Sequence, residues 1–330
     1  MSESTATHKR PEGESGELWG QFVDVQVNGY GGHDFNDASL SAEDWRAACE
    51  KIRADGMAGV LATIITDSVE GMVARLQRIA AVRAGDPLVR DVIWGIHVEG
   101  PFIDPQPGYV GAHPPAQARS ADVGIMQKLL DAGGGLVRLV TLAPEHDADF
   151  KVTRLLARQG IVVSAGHCNP SLEQLQRAID AGLSMFTHLG NGCPMEMHRH
   201  DNIIQRVLSL SDRLWISFIA DGAHVWFPAL RNYLRCTGFE RVIITTDAIS
   251  AARLGPGDYT LGDRVVTVDE NLIAWGPGKR HLVGSAVPMP RIVENLRTHL
   301  GLSDSDIRRL LCDNPRALLG KKRGPKGQGV

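Results

Sequence analysis

The sequence lacks most of what marks the specialised classes of protein. Its five cysteines (Cys49, Cys168, Cys193, Cys236 and Cys312) are odd in number, widely spaced and never in a C-x-x-C pair. Neither a disulfide framework nor a structural zinc cluster is therefore expected, and a reducing, cytoplasmic setting fits. No apolar run approaches the roughly 18 residues of a membrane span, and the opening stretch MSESTATHKRPEGESGE has no apolar signal-peptide core. No membrane partner is expected. An excess of one charge is also missing: 35 Lys+Arg stand against 38 Asp+Glu, a net charge of -3. Nucleic acid, which is bound through clustered positive charge, is thus not expected as a partner. What is abundant is glycine, 36 of 330 residues, above the usual share of about 7%. Without an internal repeat, that excess points to many tight turns between elements.

Residues 1–20 read as a disordered polar leader, and residues 321–330, with Lys321, Lys322, Arg323 and Lys326 among glycines, read as a basic flexible tail. Between them, short apolar or β-branched runs at 21–27, 59–65, 92–98, 136–142, 161–165, 184–187, 215–220 and 242–246 alternate with amphipathic stretches. The latter include 42–54 after Ser41, 69–83 after Ser68, 172–181 after Ser171, and 227–236, each serine a candidate N-cap. Eight such units are what an α/β barrel of the (β/α)8 TIM type needs, and strands buried on both faces explain runs without alternation. A doubly wound open sheet is disfavoured, because the first strand leads into Asn28-Gly29-Tyr30-Gly31-Gly32 and not into a helix-opening G-x-G-x-x-G. Residues 21–320 are read as this one barrel. A β-hairpin excursion near 258–284, with turns at Gly262-Asp263 and Asp269–Asn271, interrupts it, and a helical pair over 304–312 and 315–319 ends it.

Barrel enzymes carry their chemistry at the C-terminal ends of the strands. Here those ends read Gln26-Val27-Asn28, His97-Val98-Glu99, Gly166-His167, Thr187-His188, Asp221-Gly222-Ala223-His224 and Thr246-Asp247. Glu99, His167 and His188 offer one carboxylate and two imidazoles, the supply of a catalytic metal site with an open water position. One divalent transition metal per chain is expected, zinc first, with iron and cobalt also suited to these donors. Asp247 is read as the base of a hydrolysis, with a further-ligand role left open.

The blocks VDVQVNGYGGHDFND (24–37 and the valine before it), HVEGPF (97–102), GAHP (111–114), VTLAPE (140–145), AGHCNP (165–170), THLGNGCP (187–194), ADGAHV (220–225), TTDAIS (245–250) and LVGSAVPM (282–289) carry a resemblance that runs in order along the chain. They resemble the N-acetylglucosamine-6-phosphate deacetylases of the amidohydrolase superfamily. The resemblance implies a metal bound by Glu99, His167 and His188, with Asp247 as general acid/base. It further implies substrate contacts from His113 to the acetyl carbonyl, from Asn191 and Gly192, from His224 to the sugar phosphate, from Ser285, and from Arg199 of a neighbouring subunit in a homodimer. The implied reaction is hydrolysis of the N-acetyl amide of N-acetylglucosamine 6-phosphate. The alternatives are an unphosphorylated or different N-acyl amino sugar as substrate, or a non-catalytic sugar-binding paralogue.

Three departures from the family pattern set further expectations. The small β-sandwich domain usual in the family is largely missing from the sequence. Gly190-Asn191-Gly192-Cys193 stands where an aromatic-Asn-Ala-Met is usual, which removes bulk beside the expected sugar and is expected to loosen or reshape the pocket. His200-Asp201-Asn202 follows Arg199 in place of Glu-Pro-Gly, which bears on phosphate specificity.

Overall fold

A computed structural model describes residues 18–261, 264–279 and 281–320. The leader up to residue 17, the tail from residue 321 and the turn at Gly262-Asp263 lie outside the described residues. Eight parallel strands form one sheet in simple sequence order: β1 Phe22–Val27, β2 Met57–Ile65, β3 Ile93–Glu99, β4 Val137–Leu142, β5 Val162–Ala165, β6 Leu183–Phe186, β7 Trp215–Ile219 and β8 Val242–Thr245. This is the (β/α)8 barrel that the alternating pattern implies. Helices α1 Ala42–Ala54, α2 Val69–Gly85 and α6 Leu172–Ala181 start where their serines cap them. Ser41 with Asp44, and Ser171 with Gln174, close full capping boxes.

Strand periodicity sorts the barrel interior into layers, because residues two apart share a face. The lowest layer is apolar, built from Val23, Val25, Leu61, Leu139, Met185 and Ile243, with Leu319 packed against it. Two residues further along β2, β4 and β6 come Thr63, Thr141 and Thr187, which with His97 and Ser164 form a hydrogen-bonded layer. In it, His97 Nε2 meets Thr141 Oγ1 at 2.8 Å, and Thr187 Oγ1 meets Thr141 Oγ1 at 2.8 Å and Ser164 Oγ at 2.7 Å. Burial pushes His97 down to about 4, so it is a neutral member of this network. Glu99, two residues beyond His97, then emerges into the mouth.

Seven neighbouring strand pairs are joined by parallel ladders. The eighth joint, between β1 and β8, is different: among the described residues it holds one isolated bridge, Val27 to Ala248. Side chains complete it. The buried Asp24 carboxylate accepts from Thr246 N at 3.0 Å, Thr246 Oγ1 at 2.6 Å, Gln26 N at 3.1 Å and the Thr245 hydroxyl.

Three expectations need correction. Leu18, placed in the leader, is buried in the core, and the Trp19 ring meets Phe22 edge-on at 6.3 Å. The polar composition around these two apolar residues conceals that packing starts before residue 21. The hairpin excursion is a three-stranded antiparallel sheet, Gly257–Leu261, Arg264–Val268 and Ala274–Trp275. The terminal helical pair is one continuous helical run from Asp304 to Leu318. A π-turn at Arg309–Asp313 precedes Pro315 and absorbs its missing N–H without a break. No described helix is long and apolar enough to cross a membrane.

Candidate active site

Glu99, His113, His167 and His188 converge at the mouth although they are scattered over 90 residues of sequence. Glu99 Oε1 lies 3.0 Å from His188 Nε2 and 3.3 Å from His167 Nε2, and Glu99 Oε2 lies 3.9 Å from His113 Nε2. All four side chains are almost fully buried. Burial opposes ionisation of Glu99, yet the hydrogen bonds and charge of His167 and His188 outweigh it and hold the carboxyl well below its usual range. Gln26, at the end of β1, adds a donor: its Nε2 reaches Glu99 Oε1 at 3.1 Å.

Three histidines around one carboxylate leave open which of them can ligate, and their outer nitrogens decide it. His167 Nδ1 lies 2.7 Å from the Tyr109 carbonyl oxygen, an acceptor only, so Nδ1 carries the proton and Nε2 keeps its lone pair for a cation. His113 is the reverse: its Nδ1 accepts from the Thr66 backbone N–H at 3.3 Å, so the proton sits on Nε2, which is then a donor. Burial, then the charge of His167, pushes His113 down to about 3 and keeps it neutral. His113 thus fits a carbonyl-polarising role and His167 fits ligation; the buried Nδ1 of His188 meets no partner, and His188 joins them through its Nε2, 3.0 Å from Glu99 Oε1. Ligands held at about 2.1 Å in a tetrahedral shell lie about 3.4 Å apart, close to the separations from Glu99 to these two nitrogens. The residues present therefore fit one divalent metal.

Backbone conformation carries a matching signal. His167, His188 and Asp247 have φ of 52°, 36° and 53°, in the left-handed region that side chains other than glycine rarely adopt. Each is the residue at which its strand turns into the mouth, and such strain persists only where surrounding structure enforces it. The Asp247 Oδ1 accepts from Asn28 Nδ2 at 2.7 Å. Burial, and after it the Glu99 charge, pushes the Asp247 carboxyl up to about 6.

His224 stands beside this group. Its Nδ1 meets Asp221 Oδ2 at 2.6 Å, and the same oxygen accepts from Ser285 Oγ at 3.0 Å. Burial opposes the charge on His224, but the Asp221 carboxylate outweighs it and raises the imidazole above its ordinary value, while Asp221 itself falls to about 2. The arrangement favours the protonated form of this buried imidazole.

Other expected contacts are placed differently. Ser285 Oγ donates to Asp221 Oδ2 and accepts from Val287 N at 3.2 Å. Asn191 Nδ2 turns back to its own loop at the His188 carbonyl, 3.3 Å away. Arg199 is exposed on the loop after β6. At Gly192 a Cβ would come within 2.9 Å of His167 Nδ1, so the missing side chain makes room for the imidazole. A second ligand-bearing group, Asp104, Glu145 and His146, lies behind His167; Glu145, pushed up to about 7 by burial, accepts from Asn169 N and braces the loop after β5. Gln26, Asn28, Asp221 and the Tyr109 carbonyl are the participants that the candidate residue set omits. The first three stand at strand ends, where position alone marks them; a backbone carbonyl leaves no trace in sequence.

Comparison with known proteins agrees with this geometry, although no family model matches the chain. An N-acetylglucosamine-6-phosphate deacetylase of Bos taurus is 36% identical over 92% of this chain and 75% of its own length. An N-acetylgalactosamine-6-phosphate deacetylase of Escherichia coli O157:H7 is 30% identical over 91% of this chain and 77% of its own length. Among solved structures, a mutant N-acetyl-D-glucosamine-6-phosphate deacetylase of Mycobacterium smegmatis in complex with N-acetyl-D-glucosamine-6-phosphate superposes with a TM-score of 0.81 at 32% identity, covering 91% of this chain and 77% of that one.

Proposed function

Because the chain belongs to the N-acetylglucosamine-6-phosphate deacetylase family of the amidohydrolase superfamily, we propose that it hydrolyses the N-acetyl amide of N-acetylglucosamine 6-phosphate to glucosamine 6-phosphate and acetate. The observation that carries the reading is the buried Glu99 carboxylate, whose Oε1 lies 3.3 Å from His167 Nε2 and 3.0 Å from His188 Nε2, with His113 grouped beside it and Asp247 close enough to feel its charge. Glu99, His167 and His188 would hold one divalent metal per chain, zinc being the first choice for this donor set, and the metal would supply Lewis-acid activation of water and of the acetyl carbonyl.

The chain's own groups then divide the proton chemistry. Ionised Asp247 takes a proton from the attacking water, and the new C–O bond forms at the acetyl carbon. Negative charge grows on the carbonyl oxygen, where the Nε2–H of His113 donates. Protonated Asp247 gives its proton to the amide nitrogen as the C–N bond breaks, so the free amine and acetate leave and the carboxylate is restored. Protonated His224 meets an anionic group, which supports a phosphorylated substrate. Arg199, exposed on its loop, is assigned to the phosphate of a partner subunit's substrate, and the protein to a homodimer.

Acetate release tests the proposal when measured with N-acetylglucosamine 6-phosphate, its galacto epimer and unphosphorylated N-acetylglucosamine. The 6-phosphate should raise kcat/KM by at least about tenfold. Equal rates with and without phosphate would remove the phosphate assignment, a preference for the galacto epimer would change the sugar, and no acetate from any of the three would overturn the activity.

A further inference from the structure

Asp247 has two carboxylate oxygens, and the two proton transfers assigned to it need one of them to be free and pointed at the reacting atoms. Among the described residues a single side chain donates to that carboxylate. It is Asn28, at the end of β1, whose Nδ2 lies 2.7 Å from Oδ1. We propose that Asn28 is a positioning residue that occupies Asp247 Oδ1 and so reserves Oδ2 for the travelling proton. This rests on the reading of Asp247 as the general acid/base.

Four features support it. Asn28 is only 7% exposed, and its own Oδ1 is buried with no hydrogen-bond partner, so the amide is oriented by what its nitrogen does and not by its own satisfaction. Its backbone is pinned beside Asp247, since Asn28 N donates to the Ala248 carbonyl at 2.7 Å across the β1–β8 seam. Asp247 is pinned as well, at φ 53° and with its carbonyl accepting from Ser285 N at 2.9 Å. Finally, a carboxamide suits the task chemically. It donates to the carboxylate before proton uptake and to the carbonyl-like oxygen of the acid afterwards, and it never takes the proton itself. The carboxyl therefore keeps one orientation through both halves of the cycle.

The test is a double-mutant cycle on the metal-loaded enzyme, using Asn28→Leu, Asn28→Asp, Asp247→Asn and the combinations. Removing a hydrogen bond to a charged group predicts a kcat lowered about 10- to 100-fold in Asn28→Leu, with KM and bound metal within about twofold of wild type. In the Asp247→Asn background the same change should cost nothing more. The isosteric Asn28→Asp, which puts an acceptor where the donor stood, covers the case in which the leucine variant does not fold and should lose at least as much. A kcat within twofold of wild type, or an equal loss in both backgrounds, overturns the proposal. A wild type that releases no acetate overturns the activity reading instead. Crystal structures of wild type and Asn28→Asp then decide the positioning: a carboxyl that turns away supports it, and one that stays in place overturns it.

Discussion

Alanine at position 192 is the most demanding perturbation of the metal site, because it adds one methyl group to a residue that ligates nothing. The added Cβ would stand 2.9 Å from His167 Nδ1 and 3.2 Å from both Cε1 and Cγ, whereas ordinary contact begins near 3.4 Å, so ring or loop must yield by about half an ångström. The ring has little freedom. Its far side faces Gly111, where a Cβ would lie 3.0 Å from Cε1, and its Nδ1 is held 2.7 Å from the Tyr109 carbonyl. The backbone is no freer, since φ at Gly192 is +59° and alanine there costs about 1–2 kcal/mol. Disturbing the partner that orients a ligating histidine typically costs about 10- to 100-fold in metal affinity; because alanine is the usual residue of the family pattern at this position, ring and loop can yield together, and the expected loss for Gly192→Ala is at the low end, about 10-fold. Competition of the purified protein against a chromogenic chelator measures it. Gly190→Ala is the control: it has φ +98° but would meet Val225 Cγ2 at 3.3 Å, away from His167, so it should lower the melting temperature and leave metal affinity unchanged. Wild-type affinity in Gly192→Ala, or an equal loss in Gly190→Ala, would refute the claim that these glycines exist to seat the imidazole.

Two further outcomes follow from the same structure. With metal in excess, acetate release should fall as pH drops into the range where the buried Asp247 carboxyl takes up its proton, because only its ionised form accepts a proton; a rate that climbs toward pH 5 would contradict it. Asp24→Ala strands the four donors that its carboxylate serves at the β1–β8 seam. A loss of about 3–5 kcal/mol and a fall of about 5–8 °C in Tm are expected by differential scanning calorimetry, and a shift under 2 °C would refute the role given to Asp24.

The barrel was legible because its signal is repeated: eight buried apolar runs, six of them leading into candidate polar groups, leave few alternative folds. Strand boundaries moved by a single residue except where glycine intruded. β2 begins at Met57 and not at Gly59, whose missing side chain admits the Trp94 indole, 2.1 Å from where a Cβ would stand. The ligands and Asp247 were legible for a related reason, since charged groups rarely end buried strands without a task. Three things were not. The choice between ligand and donor for His113 and His167 depends on which partner each Nδ1 meets. The commitment of Ser285 to Asp221 depends on two strand ends becoming neighbours across 64 residues. The seam could not be foreseen, because nothing in the local pattern of β1 or β8 says that their ladder will be missing.

That seam carries a consequence for how the enzyme fails. Seven joints of the barrel are ladders that open only with the strands themselves, whereas the eighth is held, among the described residues, by one bridge, by side chains and by backbone bonds of the loops beyond it, such as Gly32 N to Ser250 O at 2.7 Å. Asn28 and Asp247 face each other across that joint. The part of the wall with the fewest fasteners thus also sets the aim of the proton-transfer group. A barrel that begins to part there loses its turnover while its helices and its other seven joints are still intact, so heat or denaturant extinguishes activity before it extinguishes the fold.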